Sequence, residues 1–301
     1  MKLIIANIYF GRCPAYFDLF IRSCAHNPKI DFLFLVDFEI KFQLPPNLRI
    51  VRAGFSELKE RFQASFDFTL ALDSPYKLTD FQPAYGELLA EYFDGYDWWG
   101  HCDFDMVFGD LSPLLAAAAS QDYVKIFRRG HMTLYKNTVE INAIYRKGRA
   151  RLDFRKIFTI PEFCNFDETN GIDAIFAGLE LPVFRDELIA DIAPRSAFLH
   201  MTSHLNRLGQ YFFWQQGKLY CISPDGSRRE FVYIHLQKRA MAESYGDLDA
   251  SQGIFINQFG FFENRGDLSA WIFRICCFLP NLAHLKRFFL PRALSRLTGL
   301  K

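Results

Sequence analysis

Apolar and polar positions fall in blocks along this chain, and the period changes from block to block. Residues 2–10 (KLIIANIYF) form a nearly continuous apolar run closed by Gly11 and Pro14, the pattern of a buried strand. Residues 15–26 (AYFDLFIRSCAH) place Phe17, Phe20, Ile21 and Cys24 at helical spacing. A second buried strand is predicted over 31–36 (DFLFLV), ending at Asp37, and a short third one over 48–51 (LRIV), past the loop at Pro45 and Pro46. The helix predicted over 56–66 (SELKERFQASF) takes Ser56 as its N-cap. Residues 74–93 are polar and aromatic with a helical second half, and 96–102 (YDWWGHC) read as another strand. SPLLAAAAS (112–120) predicts a helix with Ser112 as cap and Pro113 at its first position. Strands over 122–127 and 131–136 precede a helix over 138–148 that stops at Gly148.

Strands alternating with helices predict an α/β layer with a mixed, mostly parallel sheet flanked by helices. The principal domain is expected over residues 1–240. Past residue 240 the periodicity weakens, and residues 241–301 are expected to form a basic, amphipathic helical tail. Within it, residues 268–301 hold six Lys/Arg and no Asp/Glu. Basic amphipathic helices bind anionic membrane surfaces, and a helix pair packed on the protein's own core is the equal alternative.

Composition narrows the classes. The chain has 301 residues, half of them hydrophobic and 34 of them Phe, which supports a sizeable core and excludes disorder. A net formal charge of +1 gives no footprint for nucleic acid. Seven cysteines without CxxC spacing are expected to be reduced thiols of a cytoplasmic protein rather than a zinc site. The opening MKLIIANIYFGRCP lacks a small-residue cleavage site and is expected to be a core strand rather than a signal peptide.

The chemistry concentrates in WWGHCDFDMVFGD (98–110). Asp is depleted in strands and is seldom buried unpaired, yet Asp103 and Asp105 end an aromatic strand. Strand side chains alternate, so the two carboxylates can share one face. Open α/β sheets bind ligands beyond the carboxyl ends of their strands. Two like charges this close repel unless a cation neutralises them. Mg²⁺ or Mn²⁺ does so, and Mg²⁺ combines one or two carboxylates with substrate phosphates. A metal–diphosphate site is therefore expected, against a solvated turn in which Asp caps the following helix.

The run SPYKLTDFQPAYGELLAEYFDGYDWWGHCDFDMVFGDL (74–111) resembles the D-x-D-bearing core of bacterial polysaccharide-type glycosyltransferases of the GT-A fold. It also resembles the bacterial family DUF6625, with its K-L-x-D-F-x-P-A-Y-G…W-G-H-C-D-x-D-x-x-F-G-D pattern. The similarity continues through RRGHMTLYKN (128–137), FDETNGI (166–172) and YIHLQKR (233–239), covering roughly residues 1–240. It departs at the strand entry, where the usual Gly-Gly-x-Tyr is Gly95-Tyr96-Asp97-Trp98-Trp99-Gly100.

The resemblance implies a GT-A-like (Rossmann-like) hexosyltransferase that uses Mn²⁺ or Mg²⁺. Its donor would be a nucleotide-sugar, with a UDP-sugar favoured, and its acceptor a glycan or lipid-linked molecule of surface polysaccharide. It would work in the cytoplasm, at the inner face of the plasma membrane where the tail binds lipid. Asp103 and Asp105 would hold the metal, with Asp103 also touching the donor, and His235 would complete the metal site. Lys238 would face the diphosphate, against a solvated Lys beside Arg239, and Lys77 and Asp80 would bind the donor, against an ion pair at a helix start. Tyr9, Phe10 and Asp37, at the ends of the first two strands, would receive the nucleoside, with core packing the stronger reading for Phe10. Asp167 or Glu168 would act as general base or bind the acceptor, and the bland alternative is an acid favoured at a helix N-terminus. His131, Arg128 and Arg129 would line the cleft or form a surface cluster, and His200 and His204 are read as structural. Two other classes stay open. CDFDMVF also resembles the D-x-D-x-[TV] motif of haloacid-dehalogenase-type phosphotransferases, and a non-catalytic membrane-associated binding protein would need only the tail.

Overall fold

The computed structural model describes all residues except 15, 42, 186–187, 245–252, 264–272 and 286–301. The chain forms two compact units, one of residues 1–13, 27–104 and 112–186, the other of 14–26, 105–111 and 187–301.

The first unit is built on seven strands: β1 (Leu3–Tyr9), β2 (Asp31–Val36), β3 (Leu48–Arg52), β4 (Trp98–Cys102), β6 (Lys125–Arg129), β7 (Met132–Lys136) and β8 (Val183–Phe184). The intervening β5 (Met106–Phe108) belongs to the second unit. The order across the sheet is β3-β2-β1-β4-β7-β6-β8. The β1, β2, β3 and β4 pairings are parallel, β7 runs antiparallel to β4 and β6, and β8 is parallel to β6. This is the mostly parallel α/β sheet that the sequence predicts. The apolar runs of β1 and β2 are nearly continuous because both of their faces are covered. Aromatic rings fill the layer: Trp99 stacks between Phe93 (5.3 Å) and Tyr135 (4.6 Å), and Phe81 stacks on Phe158 (4.1 Å).

Two local expectations are corrected and a third is refined. The helix Phe55–Gln63 takes Gly54 as its N-cap, whose N–H donates to the Glu57 carboxylate at 3.4 Å, so Ser56 lies inside the first turn. The second half of 74–93 is helical as expected, but as two single α-turns (Tyr85–Leu88, Ala90–Phe93) parted at Leu89, after a 3₁₀ segment (Pro75–Ala84). Pro83 has no N–H to give, and Gly86 packs so closely that an added Cβ would lie 2.7 Å from Asn142 and 2.8 Å from Trp99. The helix predicted over 138–148 ends at Asn142 and resumes as a 3₁₀ turn, Ile144–Lys147.

The second unit holds two sheets. One runs β12 (Arg228–Phe231), β11 (Lys218–Ile222), β10 (Tyr211–Gln215), β15 (Ile254–Asn257), β16 (Gly260–Glu263) and β14 (Ala242–Ser244). The other places β13 (Tyr233–His235) between β5 and β9 (Ile189–Asp191). The helix Phe17–Ala25 lies against β5, where the Ser23 hydroxyl accepts the Phe108 N–H at 3.1 Å. Strand structure thus continues past residue 240. β15 and β16 form a hairpin closed by Gln258 and Phe259, too short a pair of runs to stand out in sequence. Helical residues appear at 273–276 and 282–285, and Phe273 packs on Tyr211 and Phe255 of the same unit. Lys286, Arg287, Arg292, Arg296 and Lys301, most of the basic charge of the expected tail, lie outside the described residues. Among the described residues, no helix is long and apolar enough to cross a membrane.

Gly100 gives a direct check of the β4–β7 packing. A Cβ there would lie 2.3 Å from the Leu134 side chain and 2.7 Å from the Thr133 carbonyl oxygen. Gly100→Ala is expected to lower stability by about 1–3 kcal/mol in urea unfolding. Gly178→Ala, where nothing lies within 4 Å, is the matched control and is expected to cost nothing.

Candidate active site

The three short strands of the second unit assemble a buried polar cluster. In the parallel pairing of β13 with β9, His235 stands opposite Asp191, and in the antiparallel pairing with β5 it stands opposite Met106, the residue after Asp105. Both carboxylates therefore reach one imidazole. His235 Nδ1 lies 3.0 Å from Asp191 Oδ1, and His235 Nε2 lies 3.5 Å from Asp105 Oδ1. All three side chains are buried. The backbone locks the arrangement, with Leu236 N–H donating to the Asp105 carbonyl at 2.8 Å and Ile192 N–H to the His235 carbonyl at 3.1 Å.

The turn that follows His235 serves both carboxylates. Gln237 and Lys238 both adopt left-handed backbone conformations, at φ 55° and 54°. Such a conformation is uncommon for residues with a side chain and clusters at functional sites. It lets the Gln237 amide donate to Asp191 Oδ1 at 2.8 Å, while the Lys238 N–H donates to Asp105 Oδ2. Burial pushes the Asp105 carboxyl up, but the His235 ring, the Lys238 N–H and the Lys238 charge outweigh it and hold it below the usual carboxylate range. Asp105 is thus kept ionised without bulk water. An ionised carboxylate beside an imidazole is a donor set suited to Mn²⁺. Two ligand atoms each about 2.1 Å from one ion can lie up to about 4 Å apart, so the Asp105–His235 spacing fits a shared cation. Asp191 escaped the sequence reading because IADIAP carries no motif and no metal-ligand spacing.

The first unit holds the rest of the candidate residues. Asp103 follows β4, and its N–H donates to the His131 carbonyl at 2.9 Å. Phe104 is buried, packing on Tyr9 (ring centroids 5.3 Å apart) and Phe34 (4.9 Å). Tyr9 therefore does border the D-x-D stretch. Asp37 accepts the Gly11 N–H at 2.8 Å, tying the ends of β1 and β2 together. Phe10 takes the core-packing alternative, sitting in the core against Phe55 (5.5 Å).

Lys77 and Asp80 take the ion-pair alternative, buried rather than at a surface. They form a fully buried ion pair at 2.9 Å. The Lys77 ammonium also donates to the Ile157 (3.0 Å) and Glu162 (2.6 Å) carbonyls, so its three protons are taken. The Asp80 oxygens accept the N–H groups of Cys164 and Phe166, each at 2.9 Å. Rather than touching a donor, this pair pins the segment that leads into Asp167.

Asp167 is buried, and its Oδ1 has no hydrogen-bond partner among the described residues. Gly130 makes room for it, since a Cβ there would lie 1.9 Å from Asp167 Oδ2. Burial, then the neighbouring Glu168 and Asp103 charges, pushes the Asp167 carboxyl well above the usual range. Asp103 and Asp167 are thus brought within electrostatic reach of one another. Glu168 lines an open cavity of about 570 Å³ with Arg151, Cys164, Asn165, Thr169 and Asn170. His200 and His204 share no helix: His204 Nε2 bonds the Ile189 carbonyl at 2.8 Å, and His200 stacks on Phe198.

The Asp167 environment has a measurable consequence. An acid whose folded pKa is raised costs nothing below its unfolded value, and the cost grows as pH climbs toward the folded value. In metal-free protein, Asp167→Asn is expected to raise the Tm at neutral pH, with the gain over wild type shrinking as pH falls toward about 4. Thermal unfolding across that range checks it.

Two of the solved structures similar to the chain are transferases by name. One is the galactosyltransferase LgtC in complex with donor and acceptor sugar analogues, at 15% identity over 64% of this chain and 76% of that one, with a TM-score of 0.39. The other is mouse xyloside xylosyltransferase 1 in its apo form, at 10% identity over 64% of this chain and 87% of that one, with a TM-score of 0.37. No curated protein matches. A family model described as "Family of unknown function (DUF6625)" matches residues 4–265, and the chain belongs to that family.

Proposed function

We propose that the chain is a metal-dependent glycosyltransferase that moves a hexosyl group from a nucleotide-sugar, with a UDP-sugar favoured, to a glycan or lipid-linked acceptor in surface polysaccharide assembly. The observation that carries this reading is the buried pair of Asp105 and His235, 3.5 Å apart. Burying a carboxylate at this depth is costly unless a partner or a cation repays it. Asp103, two residues earlier on the chain, supplies a second carboxylate. Asp103, Asp105 and His235 would hold Mn²⁺ or Mg²⁺. When bound, the ion would neutralise the charge that develops on the departing nucleotide diphosphate.

The chain's own residues supply the remaining tasks. Lys238 adds a positive charge toward the diphosphate, while Tyr9 and Asp37 receive the nucleoside at the ends of β1 and β2. Asp167 or Glu168 binds the acceptor or, in an inverting course, takes the proton from its hydroxyl as that oxygen bonds to the anomeric carbon and the diphosphate leaves. The raised proton affinity of Asp167 suits that role. A retaining course would leave the proton to the donor's own phosphate. The basic tail would hold the enzyme on the anionic inner face of the plasma membrane.

Calorimetry with UDP, GDP, CMP and dTDP, each with and without Mn²⁺, tests the reading. One nucleotide is expected to bind only with the metal, and Asp105→Ala is expected to abolish that binding while the protein stays folded by circular dichroism. Failure of every nucleotide to bind under any metal condition would end the transferase reading.

A further inference from the structure

We infer that Asp191 is a positioning residue that makes His235 a metal ligand, by holding the ring proton on Nδ1 and leaving the Nε2 lone pair on the Asp105 side. The inference rests on the metal-dependent reading above and extends it to a residue outside the motif.

Two contacts to the same ring differ in kind. The 3.0 Å from His235 Nδ1 to Asp191 Oδ1 is an ordinary N–H···O hydrogen bond, whereas the 3.5 Å from Nε2 to Asp105 Oδ1 is long for one. A neutral imidazole carries one proton, and it goes where the better acceptor lies. Asp191 is that acceptor. Its position is fixed from several sides: it stands opposite His235 in the strand pairing, its Oδ1 also receives the Gln237 amide at 2.8 Å, and its Oδ2 receives the Thr202 hydroxyl at 3.1 Å. The Asp191 backbone carbonyl accepts the Thr202 N–H at 2.8 Å, which keeps the Thr202 hydroxyl beside the carboxylate. Gln237 holds a left-handed backbone while making its bond. Strain of this kind persists where the surroundings fix it, and here it fixes the carboxylate that orients the ring. A carboxylate on the far nitrogen also raises the basicity of the ligating one, and such partners tune metal affinity about 10–100-fold.

The alternative for the same atoms is a purely structural clamp in which a protonated ring bridges two carboxylates, with no bearing on a metal. Two readouts separate them. The first is the ¹⁵N spectrum of histidine-labelled, metal-free wild type, with the His235 signals assigned through His235→Gln. Once the ring is neutral, the proton is expected on Nδ1, and a proton on Nε2 would overturn the inference without any variant having to fold. The second is Mn²⁺ affinity, from the loss of the free-ion electron paramagnetic resonance signal in the presence of UDP. Asp191→Asn keeps the shape of the side chain and is expected to weaken Mn²⁺ binding about 10–100-fold, with a mixed His235 tautomer. Thr202→Val, which removes one bond to Asp191, is expected to weaken it by less. Wild-type affinity and tautomer in Asp191→Asn would overturn the positioning role and leave the transferase reading standing. Absence of Mn²⁺ binding in wild type itself would overturn both.

Discussion

A single imidazole between two buried carboxylates is the constraint on which the second unit is organised. Three ionisable groups withdrawn from water are expensive unless each finds a well-made partner. The chain meets that demand with backbone geometry. Parallel pairing on one side of β13 and antiparallel pairing on the other bring Asp191 and Asp105 to His235. A left-handed pair at Gln237 and Lys238, costing about 1–3 kcal/mol per residue, then closes hydrogen bonds onto both carboxylates. Strain, burial and charge are concentrated at these few residues, unlike in the ring-packed core of the first unit.

The first unit works by a different economy. Its stacked rings, from Phe93 through Trp99 to Tyr135, pack β4 between its neighbours, and the Trp99 indole N–H donates to Asn142 at 2.7 Å. The buried Lys77–Asp80 pair does for the 162–166 segment what ring packing does for the sheet. Asp167, which comes next, is left with an oxygen that has no partner among the described residues and with like charges beside it. A group that the fold holds at a cost to its own stability is a natural candidate for chemistry.

Legibility followed the physics of each feature. β1, β2 and β4 could be read because parallel strands covered on both faces are continuous apolar runs. The helical half of 74–93 could be read too, but not its parting into two turns at Leu89, which no Pro or Gly marks in the sequence. The strands after residue 240 are three or four residues long, too short for a period to show. At the site, Asp105 and His235 were marked by their motifs. Asp191 stands in no motif, and only strand register reveals it. Lys77 and Asp80 show a familiar spacing in sequence, but burial decides their role, and spacing does not encode burial.

The central claim is that Asp105 and His235 share a divalent cation. The most direct measurement is an anomalous difference map from crystals of the full chain grown with Mn²⁺ and UDP. A single strong peak about 2.0–2.3 Å from an Asp105 carboxylate oxygen and from His235 Nε2 is the expected result. A map with no peak at that position, at saturating metal and nucleotide, would contradict it.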